Sequence, residues 1–441
     1  MYLTRTTPVN KNYWIQLVVS TNSTKNTLKN NLVSKIFYKS RNITLRLFYF
    51  YTMPIQHIVL FDGNERNNLL PLTATRAVAD IRIGILTIKE KWEIQLNVKV
   101  DILTQEYLQA KYTFEKKENT VFINASVLPN QELVIAIEQL SNNSILESDK
   151  TIVAVKTNEA VSSLQELKLA VQKIDSVILP FNNSIINYPW DIFSFNGQEI
   201  KNDIKRLGLK PNPEKLSSTN TLLGNEIYVE EGVICECSVL NAKNGPVYLG
   251  KDSEVMEGCT VRGPFALGEH AALKMQTKVY GDTTIGPHSK VGGEVSNSVI
   301  FGYSNKGHDG FLGNSVIGEW CNLGADTNNS NLKNNYGKVK AYNYPAKEYI
   351  NTGLQFCGLI MGDHAKSSIN TMFNTGTVVG VCANVFGSGF PSKFVPDFAW
   401  GNDAVFELEK AYEVAQRVME RRGISLSEAD RSILKYIFEN K

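Results

Sequence analysis

Three sets of residues have types and spacings that could do chemistry. His308 follows Asn305, Lys306 and Gly307. An imidazole titrates near neutrality, so a histidine in an open loop can serve as general base towards an attacking nucleophile. The segment Asp62-Gly-Asn-Glu-Arg66 follows a short apolar run and brings a glycine, carboxylates and a guanidinium together. Chemistry on a triphosphate needs such parts: a backbone cradle, a cation on the charge and a carboxylate for Mg²⁺. His270 and His288 lie eighteen residues apart. They could take part in a zinc site or stand as two exposed corners.

The elements that must position these residues are legible from period. Leu249, Val255, Val261, Leu267, Leu273, Val279, Ile285 and Val291 recur at every sixth position. Neither a helix nor a two-residue alternation gives a strict six. This is the hexapeptide repeat of a left-handed parallel β-helix, whose aliphatics point inward and stack coil on coil. Such β-helices are widely used by acyltransferases that take an acetyl group from coenzyme A. The phase slips near Ser296–Ile300 and recovers at Ile317 and Leu323. A polar stretch from Asp326 to Asn343 then interrupts it, and insertions of this kind form loops on one face, often the binding face. His270 and His288 hold equivalent hexad places and should stack on adjacent coils, whereas His308 is out of that register.

Upstream, strand candidates at His57–Phe61, Val98–Ile102, Thr120–Asn124, Ile152–Val155 and Ser176–Leu179 alternate with helix candidates, notably Thr75–Trp92 and Gln131–Leu140. That alternation implies an α/β domain with a mostly parallel sheet. After Phe398 the pattern is helical over Ala404–Arg422, with Ser427 capping a last helix. The divisions expected are 1–52, a basic leader; 53–228, an α/β domain; 229–397, the β-helix; and 398–441, C-terminal helices.

Composition bounds the partners. Residues 1–52 carry eight basic residues and no acidic one, leaving 38 basic against 44 acidic in the remainder. A mildly acidic body gives no reason to expect nucleic acid. No apolar run reaches membrane-spanning length, and the six cysteines, without a CxxC pair, read as reduced packing residues of a cytoplasmic protein. Cys235 and Cys237 read as same-face strand positions. The leader lacks a signal-peptide pattern; a start placed too far upstream explains it better than a transit sequence, and it is expected to be disordered or absent.

Taken together, an α/β domain followed by hexapeptides, with the segment Lys306-Gly-His-Asp-Gly-Phe-Leu-Gly-Asn-Ser-Val-Ile-Gly-Glu-Trp-Cys-Asn-Leu-Gly-Ala-Asp-Thr, resembles the GlmU-type bifunctional family. Asn331-Leu-Lys, Thr352-Gly, Gly358-Leu-Ile-Met-Gly-Asp, Lys366 and Ile369-Asn-Thr are similar to the archaeal-type sugar-1-phosphate nucleotidylyltransferase/acetyltransferases. Leu70-Pro-Leu-Thr-Ala-Thr-Arg-Ala-Val-Ala-Asp resembles an alternative bacterial branch. The resemblance covers roughly Met53 to Trp400. It implies a nucleotidyltransferase-like (Rossmann-like) α/β domain and a homotrimeric β-helix, with the Asp326–Asn343 loop reaching across to a neighbour.

The resemblance also implies two activities, acetyl-CoA-dependent N-acetylation of glucosamine-1-phosphate and Mg²⁺-dependent uridylyl transfer from UTP to N-acetylglucosamine-1-phosphate. It makes His308 the catalytic base, with Lys306, Asn331, Glu294 and Lys274 as substrate-binding residues. The family's Glu-x-Lys keeps Glu294 but reads Ser296 at the lysine, and Lys274 stands in for an absent Arg-Pro. For the nucleotide it implies Asp62, Gly63, Arg66, Thr73, Arg76 and Arg82. The Gly-rich loop is reduced to Gly63, and the Gly-Asp that ends the central strand is replaced by Asn124-Ala-Ser, which removes the metal carboxylate. Asp62, Asp191 and Asp203 are the candidates to replace it. The alternative is a non-catalytic sugar-nucleotide-binding or assembly protein with a degenerate nucleotidyltransferase domain.

Overall fold

The computed structural model of the 441-residue chain describes residues 57–148, 150–178 and 184–441. The expectations for the basic leader lie outside these residues. Six strands form the first sheet: β1 (Ile58–Phe61), β2 (Asp101–Leu103), β3 (Thr120–Asn124), β4 (Ser144–Ser148), β5 (Thr151–Thr157) and β6 (Ser176–Ile178). Their order is β2-β1-β3-β5-β4-β6. The sheet is mixed: β1 pairs parallel with β2 and β3, but β5 runs antiparallel to both β3 and β4. Lys150 takes positive φ immediately before β5, in the short connection from which β5 runs back antiparallel to β4 without a helical crossover.

Helices α1 (Ile88–Leu96), α2 (Glu106–Gln109), α3 (Gln131–Glu138), α4 (Leu164–Val171) and α5 (Pro189–Arg206) connect and cover the sheet. The helix expected over Thr75–Trp92 is mostly not one. A 3₁₀ turn at Val78–Asp80 and a hairpin pairing Arg82–Ile83 with Leu86–Thr87 precede α1. Gly84 at φ +70° makes the hairpin turn, and Thr87 starts α1 with a capping box to Glu90. The apolar period there served a tight turn-rich segment rather than a helix.

From Thr221 to Trp400 the chain winds a parallel β-helix. One face is a nine-stranded sheet from Ile227–Val229 to Phe394–Val395, and a second begins at Ile234–Cys235. The third runs from Thr221–Leu223 to Phe311–Gly313. Leu249, Leu267, Ile285, Ile300, Ile317, Met361, Val379 and Val395 pair successively in register and fill the bore. Each buried aliphatic contributes about 1.5–3 kcal/mol, so the column alone is a substantial core. The phase slip is a shortened coil. Leu267 pairs with Ile285, eighteen residues on, but Ile285 pairs with Ile300, fifteen on.

The outward side of the first face carries the α/β domain. Ile300 and Ile317 point into the bore, whereas Val299, Phe301 and Val316 join one core cluster with Ile58, Leu60, Ile83 and Trp92. A third cluster packs α6 (Leu408–Glu420) and α7 (Glu428–Glu439) against Trp320, Cys382 and Phe398 of the β-helix and Leu108 of α2. No helix among the described residues is long and apolar enough to cross a membrane.

Candidate functional site

His308 sits on the turn from the second face to the third, between the strands Asn305–Lys306 and Phe311–Gly313. Its side chain is exposed and has no hydrogen-bond partner among the described residues. What holds the turn is Lys306. Its Cα partner one coil earlier is Val291, so lysine occupies an inward, aliphatic position of the repeat. Only 2% of it is exposed. The ammonium donates to the carbonyls of Gly292 (3.1 Å) and His308 (2.8 Å). Lys306 is therefore not free on the surface to bind substrate, the role the resemblance implied; it props the His308 turn from beneath. Burial pushes its pKa down to about 8, against the partial pull of Asp309 and Asp326.

A charged lysine in the bore without a carboxylate partner is costly. Lys306→Met is expected to raise the melting temperature near pH 7 while loosening the His308 turn, which loses its prop. The folded pKa lies below the ordinary lysine value of 10.5. Wild-type stability therefore rises with pH between about 8 and 10.5, and the methionine's advantage narrows by roughly 3 kcal/mol over that window. Thermal melts across this range check it; a variant less stable than wild type at pH 7 would contradict the assignment.

Glu294 starts its strand of the third face beside this turn, whereas Asn331 follows the strand Asn328–Asn329 at the other end of that face. Glu294 pairs in register with Phe311, and its carboxylate is 3.9 Å from Lys278 Nζ. Asn331 Nδ2 donates to Asn314 Oδ1 at 2.8 Å. A Cβ on Gly313 would come within 2.5 Å of the Phe311 ring and 2.7 Å of Asn331 Nδ2, so this glycine lets the two side chains close over the strand. His308 and Glu294 thus share the entry edge of the face and Asn331 lies at its exit edge, with the neighbours Phe311 at the first and Asn314 at the second. Sequence reasoning passed over the latter two because neither is an acid, base or cation. Lys274 is elsewhere on that corner. It follows Leu273, whose partners on the next two coils are Val291 and Lys306, so it sits two coils, roughly 10 Å, from the His308 turn.

The loop expected to cross to a neighbour is largely tied down in its own chain. Lys340–Asn343 pairs with Glu348–Asn351 as a hairpin, and Val339 and Ala341 are fully buried in the core shared with the α/β domain. Asn343 Nδ2 donates to Asn68 Oδ1 at 3.3 Å. What stands clear is the tip around Tyr336, which is 68% exposed.

The nucleotide candidates gather around the Asp62–Arg76 segment but face inward. Asp62 accepts from the Val78 amide (2.9 Å) and the Thr104 hydroxyl (2.5 Å) and lies 3.6 Å from Arg66 Nε. Burial lifts its carboxyl above the usual range, although Arg66 and Thr104 pull the other way. Arg66 donates to Thr73 O (2.8 Å) and to the Tyr107 hydroxyl (2.6 Å), while Thr73 Oγ1 donates back to Arg66 O. Arg76 reaches across to the β-helix. It pairs with Asp363, lies 3.3 Å from Glu319 and stacks 5.1 Å from the Phe301 ring centre. Arg82 donates to the carbonyls of Phe301 and Ile85. All three guanidiniums are thus engaged inside the fold.

Two carboxylates suggested for a metal are engaged as well. Asp191 accepts from the amides of Asn187 and Tyr188 at the start of α5. Asp203 accepts from Lys91 at 2.6 Å, from Arg206 and from the amides of Ile85 and Leu86. No three metal-binding side chains gather among the described residues. The carboxylate nearest the lost Gly-Asp is Glu65, which sequence reasoning missed. Asn124 Nδ2 donates to it at 3.1 Å, and a Cβ on Gly63 would lie 2.4 Å from its Oε2.

The histidine column behaves as its register requires. His270 and His288 stack at 4.8 Å, and the stack continues through Tyr303 and Trp320 to His364. His270, His288, Tyr303, Trp320 and His364 all have positive φ, as corners do. Cys235 points into the bore, but Cys237 sits at φ +50° in the following turn and is exposed, so the two do not share a strand face. All six cysteines are free.

Comparison with known proteins agrees with this architecture. A family model described as sugar nucleotidyl transferase matches residues 58–210. The bifunctional protein GlmU of Methanocaldococcus jannaschii is 27% identical over 297 residues, covering 63% of this chain and 65% of its own length. That of Methanococcus maripaludis strain C5 is 27% identical over 60% of this chain and 56% of its own. The bifunctional sugar-1-phosphate nucleotidylyltransferase/acetyltransferase of Sulfurisphaera tokodaii is 30% identical over 32% of this chain and 35% of its own. The chain spans less than two thirds of the length of these relatives. Residues 58–210 carry a sugar nucleotidyl transferase domain, and the chain as a whole, with its β-helix, is similar to archaeal bifunctional proteins of the GlmU type.

Proposed function

We propose that this protein is a transferase of sugar-nucleotide biosynthesis that N-acetylates glucosamine-1-phosphate with acetyl-CoA on its β-helix. The observation that carries this reading is the His308 turn, an exposed imidazole on a propped corner beside Glu294. In the reaction the sugar amine attacks the thioester carbonyl, His308 takes the amine proton, and the C–S bond breaks to release coenzyme A. Asn331 and Glu294 orient the sugar. A homotrimer would bring a neighbour's surface to this edge.

The α/β domain is assigned the second step, uridylyl transfer. A phosphate oxygen of N-acetylglucosamine-1-phosphate attacks the α-phosphorus of UTP and pyrophosphate leaves. Glu65 accepts one side-chain hydrogen bond among the described residues, from Asn124, and so keeps spare lone pairs at the carboxyl ends of β1 and β3. That is the donor chemistry a hard divalent ion takes, and Glu65 would hold Mg²⁺ together with the triphosphate. Bound there, Mg²⁺ would offset the charge of the phosphates. One observation favours a second reading of this half: Arg66, Arg76 and Arg82 already have partners within the fold. A domain with that arrangement can bind sugar nucleotide without turning it over.

Two assays on the full chain separate these readings. With acetyl-CoA and glucosamine-1-phosphate, free thiol is expected without added metal. With UTP and N-acetylglucosamine-1-phosphate, pyrophosphate is expected only with Mg²⁺ and is abolished by EDTA. Binding of UDP-N-acetylglucosamine with no pyrophosphate under any divalent metal would establish the second reading. Absence of thiol release would remove the first.

A further inference from the structure

The segment from Asp62 to Arg76 receives side-chain hydrogen bonds on three consecutive carbonyls. Arg66 donates to Thr73 O at 2.8 Å, the Tyr107 hydroxyl to Ala74 O at 2.8 Å, and Lys111 Nζ to Thr75 O at 3.3 Å. Tyr107 belongs to the single-turn helix α2, and Lys111 follows it. Each of these two residues is in turn held by α7, more than 300 positions later in the sequence. The rings of Tyr107 and Tyr436 stack at 4.0 Å and 10°. Asp430 pairs with Lys111 at 2.8 Å. Between these struts Leu108 is fully buried in the cluster that includes Ile433, Leu434 and Ile437.

From this geometry we infer that α7 sets the shape of the 62–76 segment, with Tyr436 and Asp430 acting through Tyr107 and Lys111 as positioning residues for nucleotide handling in the α/β domain. The inference rests on the nucleotide reading of that domain for its functional consequence, but not for its structural one. The Tyr107 hydroxyl accepts from Arg66 at 2.6 Å while donating to Ala74 O, so it ties the two ends of the segment together. The flat ring stack fixes where that hydroxyl lies. An aromatic pair and a partly exposed ion pair are modest interactions, so α7 can shift the segment's conformational equilibrium without being required for the core.

Hydrogen exchange on the full chain tests this. In the double variant Tyr436→Ala/Asp430→Asn, amides within 62–76 are expected to exchange about tenfold faster, while β3 and the β-helix strands are unchanged. Tyr107→Phe, which keeps the ring stack and loses the hydroxyl, should loosen 62–76 while leaving α7 protected. Tyr436→Phe should behave as wild type. In the double variant KM for UTP should rise about tenfold and acetyl transfer should not change. Unchanged exchange at 62–76 in the double variant would overturn the inference, as would equal acceleration throughout the chain. If wild type makes no pyrophosphate, the nucleotidyl reading fails, and the exchange pattern still decides whether α7 positions the segment.

Discussion

His308→Ala is expected to lower kcat for acetyl transfer by about 10²–10⁴-fold, the range of a positioned proton acceptor. The melting temperature should hardly move, because the imidazole is exposed and its turn is held from below by Lys306 rather than by its own ring. His288→Ala is the matched control. That ring stacks between His270 and Tyr303 on a different corner and touches nothing near Glu294 or Asn331. His364 is no such control. It is 8% exposed, its Nδ1 is buried without a hydrogen-bond partner among the described residues, and burial pushes its pKa down to about 4. His364→Ala removes a buried ring at the junction of the β-helix with α7 and should cost stability before it says anything about catalysis. Full acetyl transfer by His308→Ala would place the base elsewhere and withdraw the proposed role of this corner.

How far the sequence could be read follows from which forces act locally. The aliphatic column from Leu249 to Val291 is set by a repeating local requirement, one inward residue per short strand, so a period of six was enough to identify the β-helix. The coil at Val291–Lys306 escaped that reading because it is short and its inward residue is a lysine, which a hydrophobic period skips. The Thr75–Trp92 segment carries helix-like spacing, yet its apolar residues serve a sheet on one side and Phe301 with Val299 on the other. The arginines show the same limit more sharply. Arg66, Arg76 and Arg82 have the composition of a phosphate site. Whether a guanidinium meets a phosphate or a carboxylate depends on what the distant chain presents, and Asp363 lies 287 residues from Arg76. The helical pattern of α6 and the Ser427 cap of α7 were visible, but the partners of these helices, drawn from α2 and the corner of the β-helix, were not.

Arg76 therefore gives the second large effect, one of stability. Arg76→Ala leaves the Asp363 carboxylate fully buried with the Thr75 hydroxyl and the Glu319 amide as its remaining donors. Breaking a buried pair from one side costs about 3–5 kcal/mol, because the surviving charge has lost its counter-ion. Lysine should rescue poorly, since it cannot span Asp363 and Glu319 while stacking on Phe301. Burial by itself would raise the Asp363 pKa, but the Arg76 guanidinium and the Thr75 hydrogen bond hold it below the ordinary carboxylate range. A carboxyl depressed in the folded state stabilises at pH values above its unfolded pKa and loses that contribution as pH falls through the folded one. The gap between wild type and Arg76→Ala should accordingly be widest near neutrality and close in strong acid, where both carry a neutral Asp363. Thermal melts at pH 7 and below pH 4 read this directly. A nucleotide-binding arginine would behave otherwise: Arg76→Ala would melt like wild type at pH 7 and lose only its affinity for UTP, and that result would return Arg76 to the substrate site.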